Sequence, residues 1–459
     1  PEVELLATAQ GVASVPLADK VELRSSRNGV EVYAEEGALT LSRDAARFEA
    51  LAGLGKDETL SQVFDVKDWY RGGAEQFVDN RQTLRDVVAV AQAGEKRDAA
   101  RLALARFYFA NGYAPEALGI LRVMASDDEE IAETAAFRAL RGASHFLLQH
   151  YEDAVEDLSH DSLADNDEAA FWRAAAEARL GRPELQAPVL RDNAGVIRDY
   201  PRELKTELSL IGAEAAIAAA DDLTAQNFLE AAKAEDPKPA EKAAILYWEG
   251  RFNELTGAFD AAIGKYEQAE AVDDRKYRAF AAKDKIELLM RIEGITPTEA
   301  IEMMEGLRYA WRGGEYEFDL LKRLGELYIA EGDYGDGLRA LKTLITAFRD
   351  HPDSAEIAQM MRDAFDRLFL EGAADQLPAV TAIALYDEFR ELTPAGEKGD
   401  EMIRRLADRL VSVDLLDRAA RLLDHQVQYR LPAGLKRARV ATRLALVHLI
   451  NRQPQEALD

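Results

Sequence analysis

The sequence predicts a mainly α-helical solenoid with a small β-containing element at its N-terminus. Amphipathic helices recur in pairs from about residue 97 onward, and each pair repeats a small residue in its first helix and a turn near its middle. The first part of the chain has a different, alternating pattern. We therefore expect residues 1–80 to form the β-containing element or cap and residues 81–459 to form the repeat array.

Two alternating segments lead to the β prediction. Residues 21–24 and 30–33 alternate apolar with polar side chains, and residues 25–29, Ser-Ser-Arg-Asn-Gly, favour a hairpin turn between them. Residues 38–41 are a third candidate strand. A helix is expected near residues 82–93, before the repeats begin.

Five units carry the clearest repeat pattern: a large residue and then a small one, an aromatic three residues later, a turn glycine, and then alanine and an aromatic or leucine. They contain Leu104, Ala105, Tyr108, Gly112, Ala117 and Leu121; Gly142, Tyr151, Ala154 and Leu158; Gly250, Gly257, Ala262, Tyr266 and Ala269; Leu324, Gly325, Tyr328, Gly332, Tyr334 and Leu341; and Leu406, Ala407, Leu410, Ala419 and Leu423. The small residue lets two helices approach closely, and the glycine suits a turn with positive φ. Weaker copies are expected around residues 168–187, 208–232, 277–305 and 354–389.

This pattern resembles the tetratricopeptide repeat (TPR) family over most of the chain. The resemblance implies a right-handed superhelix of helical hairpins whose first helices line a concave face that binds proteins. Carried over by position, the candidate binding residues are Leu102, Arg106, Phe109, Tyr247, Arg251, Glu254, Lys322, Glu326, Ile329, Arg404 and Asp408. Their mixed charge and aromatic content suit a polypeptide better than a polyanion. They differ from the Lys and Asn clamp with which one TPR subclass holds chaperone C-termini.

Composition argues against several classes of function. The formal net charge of −27 disfavours nucleic acid as a partner, because nucleic-acid binders usually present a basic face. No apolar stretch approaches the ~20 residues needed to cross a bilayer. The chain has no cysteine, which excludes disulfides, zinc–thiolate sites and thiol catalysis. Since the common catalytic templates are also absent, we predict neither an enzyme nor a cofactor.

Two segments of the sequence have some features of a ligand site but lack others. Residues 53–57, Gly-Leu-Gly-Lys-Asp, resemble a phosphate loop but lack its first glycine and its Ser or Thr. His145, His150 and His160 lie near an acidic stretch, but separations of five and ten residues place them poorly on one helical face. We therefore expect solvated or packing roles for these histidines and no metal site. The tryptophans are expected in the core rather than as stacking platforms.

The functional expectation is a scaffold or adaptor in a bacterial multiprotein assembly, such as envelope, secretion or motility machinery. A cysteine-free chain suits an oxidising compartment, so a periplasmic or envelope-associated location is favoured over the cytoplasm. The alternatives are the substrate-recruiting repeats of a larger enzyme and a cytosolic peptide-binding regulator. The unit beginning at Leu435 stops early in its second helix. We therefore expect further repeats, a second copy or another subunit to cover that end.

Overall fold

The computed structural model describes the strands within residues 3–34 and the full course of residues 60–233 and 237–458. The chain divides into two compact units, residues 1–273 and 274–459, which are described separately. The third candidate strand at residues 38–41 and the loop at residues 53–57 lie outside the described residues.

The strands form two antiparallel hairpins. Strand β1 (Val3–Leu6) pairs with β2 (Ala13–Pro16), and β3 (Val21–Ser26) pairs with β4 (Gly29–Ala34). In the second hairpin Ser26 is opposite Gly29. The two alternating segments of the sequence therefore lie within β3 and β4.

The described part of the first unit continues with α1 (Val66–Tyr70) and α2 (Phe77–Val90) and then five helical hairpins. The hairpins are α3 (Glu95–Ala110) with α4 (Ala114–Asp127), α5 (Ala135–Leu147) with α6 (Tyr151–Leu158), α7 (Asp167–Leu180) with α8 (Ala187–Asp192), α9 (Arg202–Ala218) with α10 (Asp222–Ala232), and α11 (Pro239–Leu255) with α12 (Phe259–Glu270). The two weaker repeats predicted in this unit are confirmed as the third and fourth hairpins.

The second unit contains five further hairpins. They are α13 (Arg275–Arg291) with α14 (Pro297–Leu307), α15 (Gly314–Ala330) with α16 (Tyr334–Ala347), α17 (Ser354–Phe369) with α18 (Ala379–Glu388), α19 (Glu397–Ser412) with α20 (Leu416–His425), and α21 (Leu435–Ile450) with α22 (Pro454–Leu458). The weaker repeats predicted around residues 277–305 and 354–389 are confirmed here.

In four hairpins, close contact between the two helices depends on a glycine of the first helix. A Cβ added to Gly142 would lie 2.7 Å from Leu158 Cγ, and one added to Gly250 would lie 2.5 Å from Tyr266 Cε1. Equivalent contacts join Gly212 to Phe228 and Gly325 to Leu341. Because a large side chain of the second helix fills the space beside the glycine, the hairpins have the tetratricopeptide arrangement that the sequence resembles.

In eight of the ten described hairpins the turn is a Schellman motif in which one residue has positive φ. In the first hairpin Gly112 has φ +80°, its N–H donates to Phe109 O at 2.9 Å, and Tyr113 N–H donates to Tyr108 O at 2.9 Å. The same pair of hydrogen bonds surrounds Gln149, Ala220, Gly257, Glu293, Gly332, Asp414 and Arg452. Only the glycines among these were recognisable from sequence, because the other turns place an L-residue in the left-handed region.

Replacing Ala220 with glycine is therefore expected to stabilise the chain by about 0.5–1 kcal/mol. A left-handed L-residue costs roughly 1–2 kcal/mol, and the extra freedom of glycine in the unfolded chain offsets part of that gain. Urea denaturation would measure the change. Ala219→Gly is the matched control, because Ala219 has φ −81° and should lose stability on replacement. Equal effects of the two substitutions would contradict the strain argument.

The tryptophans belong to the cores, as predicted. Trp172 is buried in the first unit, and Trp69 and Trp248 pack against the same cluster. Trp311 packs against a core cluster of the second unit. None of the four is presented as an isolated stacking platform.

Candidate functional site

The surface formed by the first helices of the hairpins, called here the first-helix face, is covered at its start by the chain itself. Residues 60–66, the covering segment, lead into α1 and run beside α3 and α7. The Phe64 ring is 5.5 Å from Phe109 of α3, 6.1 Å from Trp172 of α7 and 5.7 Å from Trp69, measured between ring centroids. The segment is thus inserted among aromatic side chains of the first-helix face.

The first turn of α7 holds the main chain of the covering segment. Asp167 Oδ2 accepts hydrogen bonds from Ser61 N–H at 2.8 Å and Ser61 Oγ–H at 2.9 Å. Glu168 Oε2 accepts from Val63 N–H at 2.6 Å and Phe64 N–H at 2.8 Å. Carboxylates at a helix N-terminus are also favoured by the helix dipole. Side-chain carboxylates of α7 thus accept hydrogen bonds from backbone N–H groups of the covering segment, as they could from an extended peptide ligand.

Glu168 is fully buried, and its second oxygen is also satisfied. Glu168 Oε1 accepts the Tyr200 hydroxyl at 2.5 Å, and Trp172 Nε1–H donates to that hydroxyl at 2.9 Å. Burial raises the pKa of Glu168, and the bonds from Tyr200, Phe64 and Val63 partly offset the rise. Burial and the neighbouring carboxylate raise the pKa of Tyr200. This network fixes the carboxylate as an acceptor for two adjacent backbone N–H groups.

The candidate residues of the first hairpin lie on this surface. The Arg106 guanidinium carbon is 4.9 Å from the centre of the Trp69 ring, and burial lowers the pKa of Arg106. Phe109 is buried under Phe64, while Leu102 is partly buried against the same core. Phe109 is therefore not open to another molecule while the covering segment is in place.

In the fifth hairpin two of the three candidate residues contact the second helix of the same hairpin. Tyr247 is buried, and its ring centroid is 6.1 Å from that of Tyr266 on α12. Glu254 Oε1 accepts the Tyr266 hydroxyl at 2.5 Å. Arg251 is partly exposed. The expectation that Tyr247 lines an open face is corrected, because its ring is needed for packing between α11 and α12.

In the second unit the four charged candidates form ion pairs, two of them with a residue of the next hairpin. Lys322 Nζ of α15 is 3.1 Å from Glu356 Oε1 of α17, and Asp408 Oδ1 of α19 is 2.7 Å from an Arg443 nitrogen of α21. Glu326 pairs with Arg323 on its own helix. The first-helix face of this unit is thus bridged by ion pairs between successive repeats.

Two candidates of the second unit lie at opposite extremes of exposure. Ile329 is buried in the core and does not line a free surface, because it packs where Gly337 of α16 approaches α15. Arg404 is exposed and forms an ion pair with Glu401 one turn earlier. Of the residues predicted from sequence in this unit, the polar ones are therefore the accessible ones.

A cavity of about 530 Å³ lies among second helices of the first unit, between α8 and α10. Ile197 and Phe228 contribute apolar surface, and Arg191 lies at the cavity. Arg191 is paired with Asp192 at 2.9 Å and Asp221 at 3.5 Å, so its charge is already compensated. Lys205 of the first helix α9 also lines the cavity.

No family model and no curated protein matches the sequence. Among solved structures, a human IFIT1 dimer with PPP-AAAA is similar over 92% of this chain and 94% of its own, at 16% identity and a TM-score of 0.39. The TPR domain of P58(IPK) is similar over 78% and 90%, at 15% identity and a TM-score of 0.29. The Cut9-Hcn1 hetero-tetramer structure of APC/C is similar over 91% of this chain and 92% of its own, at 13% identity and a TM-score of 0.27.

Within the described residues, no helix has the length and apolar character required to cross a membrane.

Proposed function

We propose that the chain is a non-enzymatic protein-interaction scaffold whose first-helix face holds extended polypeptide segments. The observation that supports the proposal is the covering segment itself. Its main chain is held by Asp167 and Glu168, and Phe64 occupies an aromatic site between Phe109 and Trp172. Main-chain hydrogen bonds supply affinity for any extended peptide, while a side-chain site supplies selectivity.

Within this proposal the partners are proteins or peptide segments, not nucleic acid, and the chain is one subunit of a larger bacterial assembly. The absence of cysteine supports a periplasmic or envelope setting. The net charge of −27 argues against a polyanionic ligand. A substrate-recruiting region of a larger enzyme would use the same surface. Sequencing the full gene and identifying the neighbouring subunits would separate these settings.

A peptide comprising residues 58–70, added in trans, tests the peptide-binding surface. We expect Phe64→Ala in the full chain to weaken the covering segment, because deleting a buried aromatic typically costs about 3–5 kcal/mol. The labelled peptide should therefore bind that variant at least about tenfold more tightly than the wild-type chain, whose own segment competes at an effective concentration on the order of millimolar. Fluorescence anisotropy measures both affinities.

Two controls make this experiment specific. The same peptide carrying Phe64→Ala should not bind, because it lacks the aromatic group. Adding Glu168→Ala to the Phe64→Ala chain should also abolish binding, because the main-chain acceptor is lost. Equal binding of the peptide to all of these chains would exclude the first-helix face as the site.

A further inference from the structure

Two histidines meet at the turn of the second hairpin. In a Schellman motif the residue three positions before the helix end and the second residue after it face each other. In the first hairpin these residues are Tyr108 and Tyr113, with ring centroids 6.3 Å apart. In the second hairpin they are His145 and His150, with ring centroids 5.9 Å apart. A pair of histidines thus occupies the positions that a pair of tyrosines occupies in the first hairpin.

The expectation that these histidines are kept apart by their spacing is wrong, because a turn and not a continuous helix separates them. Gln149 has φ +62°, and His150 N–H donates to His145 O at 3.0 Å. These features fix the backbone so that positions five apart lie side by side. His160 is not part of the cluster, since its ring nitrogens lie 2.8 Å from Glu133 Oε2 and 2.9 Å from Ser162 Oγ.

A carboxylate completes the cluster. Asp153 lies in the first turn of α6, with Oδ2 3.8 Å from His145 Nδ1. One ligand atom from each of His145, His150 and Asp153 lies within 4.8 Å of the others. His145 Nδ1 is itself buried and has no hydrogen-bond partner among the described residues. A buried ring nitrogen therefore lacks a partner beside two exposed groups that can bind metals.

We propose that His145, His150 and Asp153 form a binding site for a divalent transition metal of the zinc class, with water completing the coordination. Two imidazoles and one carboxylate are a donor set typical of zinc, whereas calcium and magnesium prefer oxygen ligands alone. Tetrahedral bonds of about 2.1 Å place ligand atoms roughly 3.4 Å apart. The exposed side chains of His150 and Asp153 need to move by about 1 Å to reach that geometry.

The charges around His145 are compatible with a cation. Asp157 and Arg141 are its charged neighbours beyond the cluster, and the Arg141 guanidinium is held by the buried Asp157 carboxylate at 2.5 and 2.7 Å. Asp157 also accepts a hydrogen bond from Arg138 at 2.9 Å. A bound ion would link the last turn of α5 to the first turn of α6 and so stabilise the second hairpin.

Zinc titration of the tag-free, chelator-treated full chain tests the site. We expect calorimetry to show one zinc bound, and His150→Ala and Asp153→Ala each to weaken binding at least about tenfold, which is the lower end of the effect of losing even an outer-shell partner. Zinc should raise the thermal midpoint of the wild-type chain and not of these variants. Cobalt(II) should give the intense visible absorption of four-coordinate sites. His160→Ala is the matched control and should behave as wild type.

Three results would overturn the proposal. If His150→Ala bound zinc with wild-type affinity, the metal would lie elsewhere. The same conclusion would follow if His160→Ala lost as much zinc affinity as His150→Ala. Weak six-coordinate cobalt absorption that all variants share would indicate scattered surface carboxylates instead. Since His150 and Asp153 are exposed, circular dichroism should confirm that the variants remain folded.

Discussion

Glu168→Ala is expected to lower the free energy of unfolding by about 3 kcal/mol, because three hydrogen-bond donors, one part-buried and two buried, lose their acceptor. These donors are Val63 N–H, Phe64 N–H and the Tyr200 hydroxyl. Water cannot easily replace the carboxylate in a core that contains Phe64 and Trp172. The covering segment should detach before the helical hairpins unfold, since two of the three backbone N–H groups that it donates to α7 bond to this residue.

Hydrogen exchange measured along the chain checks this result. Protection should fall most at residues 60–70 and remain unchanged in residues 274–458. Glu168→Gln is the matched control, because its amide oxygen still accepts the two backbone bonds, and it should cost about 1 kcal/mol. Unchanged exchange at residues 60–70 in Glu168→Ala would mean that the aromatic contacts alone hold the segment.

The dependence on pH gives a second readout of the same network. Burial raises the pKa of Glu168, so the folded chain takes up this proton more readily than the unfolded chain. The wild-type chain should therefore gain stability relative to Glu168→Gln as pH falls toward the raised pKa. The gain should be complete below the ordinary glutamate pKa of about 4.3.

The repeat architecture could be predicted because each hairpin needs the same few residue types at the same places. Gly142, Gly250 and Gly325 were recognised for this reason, and each contacts a large residue of its second helix. The turns at Gln149 and Glu293 were missed because neither residue type indicates positive φ. Hydrogen bonds between neighbouring backbone groups, rather than glycine, specify these turns.

The covering segment could not have been found from the sequence. Ser61 and Phe64 belong to no recognisable motif, and their acceptors lie more than one hundred positions later, at Asp167 and Glu168. Acidic residues there look like ordinary helix-start residues. The candidate positions on the first helices were chosen by repeat position, which cannot show that Lys322 pairs with Glu356 one repeat later.

Gly325→Leu is expected to destabilise the seventh hairpin, formed by α15 and α16, by about 3 kcal/mol through overpacking. A Cβ at this position would collide with Leu341 Cδ2 and lie 2.6 Å from Leu341 Cγ. Leu341 is fully buried, so it cannot move aside into solvent. The Gly337 carbonyl oxygen of α16 would lie 3.5 Å from the same Cβ, so the two helices are already in contact at this point.

Three further variants separate overpacking from a general loss of helix. Gly306→Ala should be neutral or slightly stabilising, because nothing lies within 4 Å of a Cβ there and alanine favours helix by about 1 kcal/mol. Gly325→Ala should cost about 1 kcal/mol, at the lower end of overpacking. Leu341→Ala should cost less in the Gly325→Leu background than in the wild-type chain, because the shorter side chain makes room for the leucine.

The location of the damage is as informative as its size. The stability of a repeat array is approximately a sum of the contributions of single repeats and of contacts between neighbours. Hydrogen exchange in Gly325→Leu should therefore accelerate in α15 and α16 and less in the adjoining α14 and α17, with residues 60–233 unchanged. Uniform acceleration across both units would show that the chain unfolds as one cooperative body, and the seventh hairpin would then have no separate stability to lose.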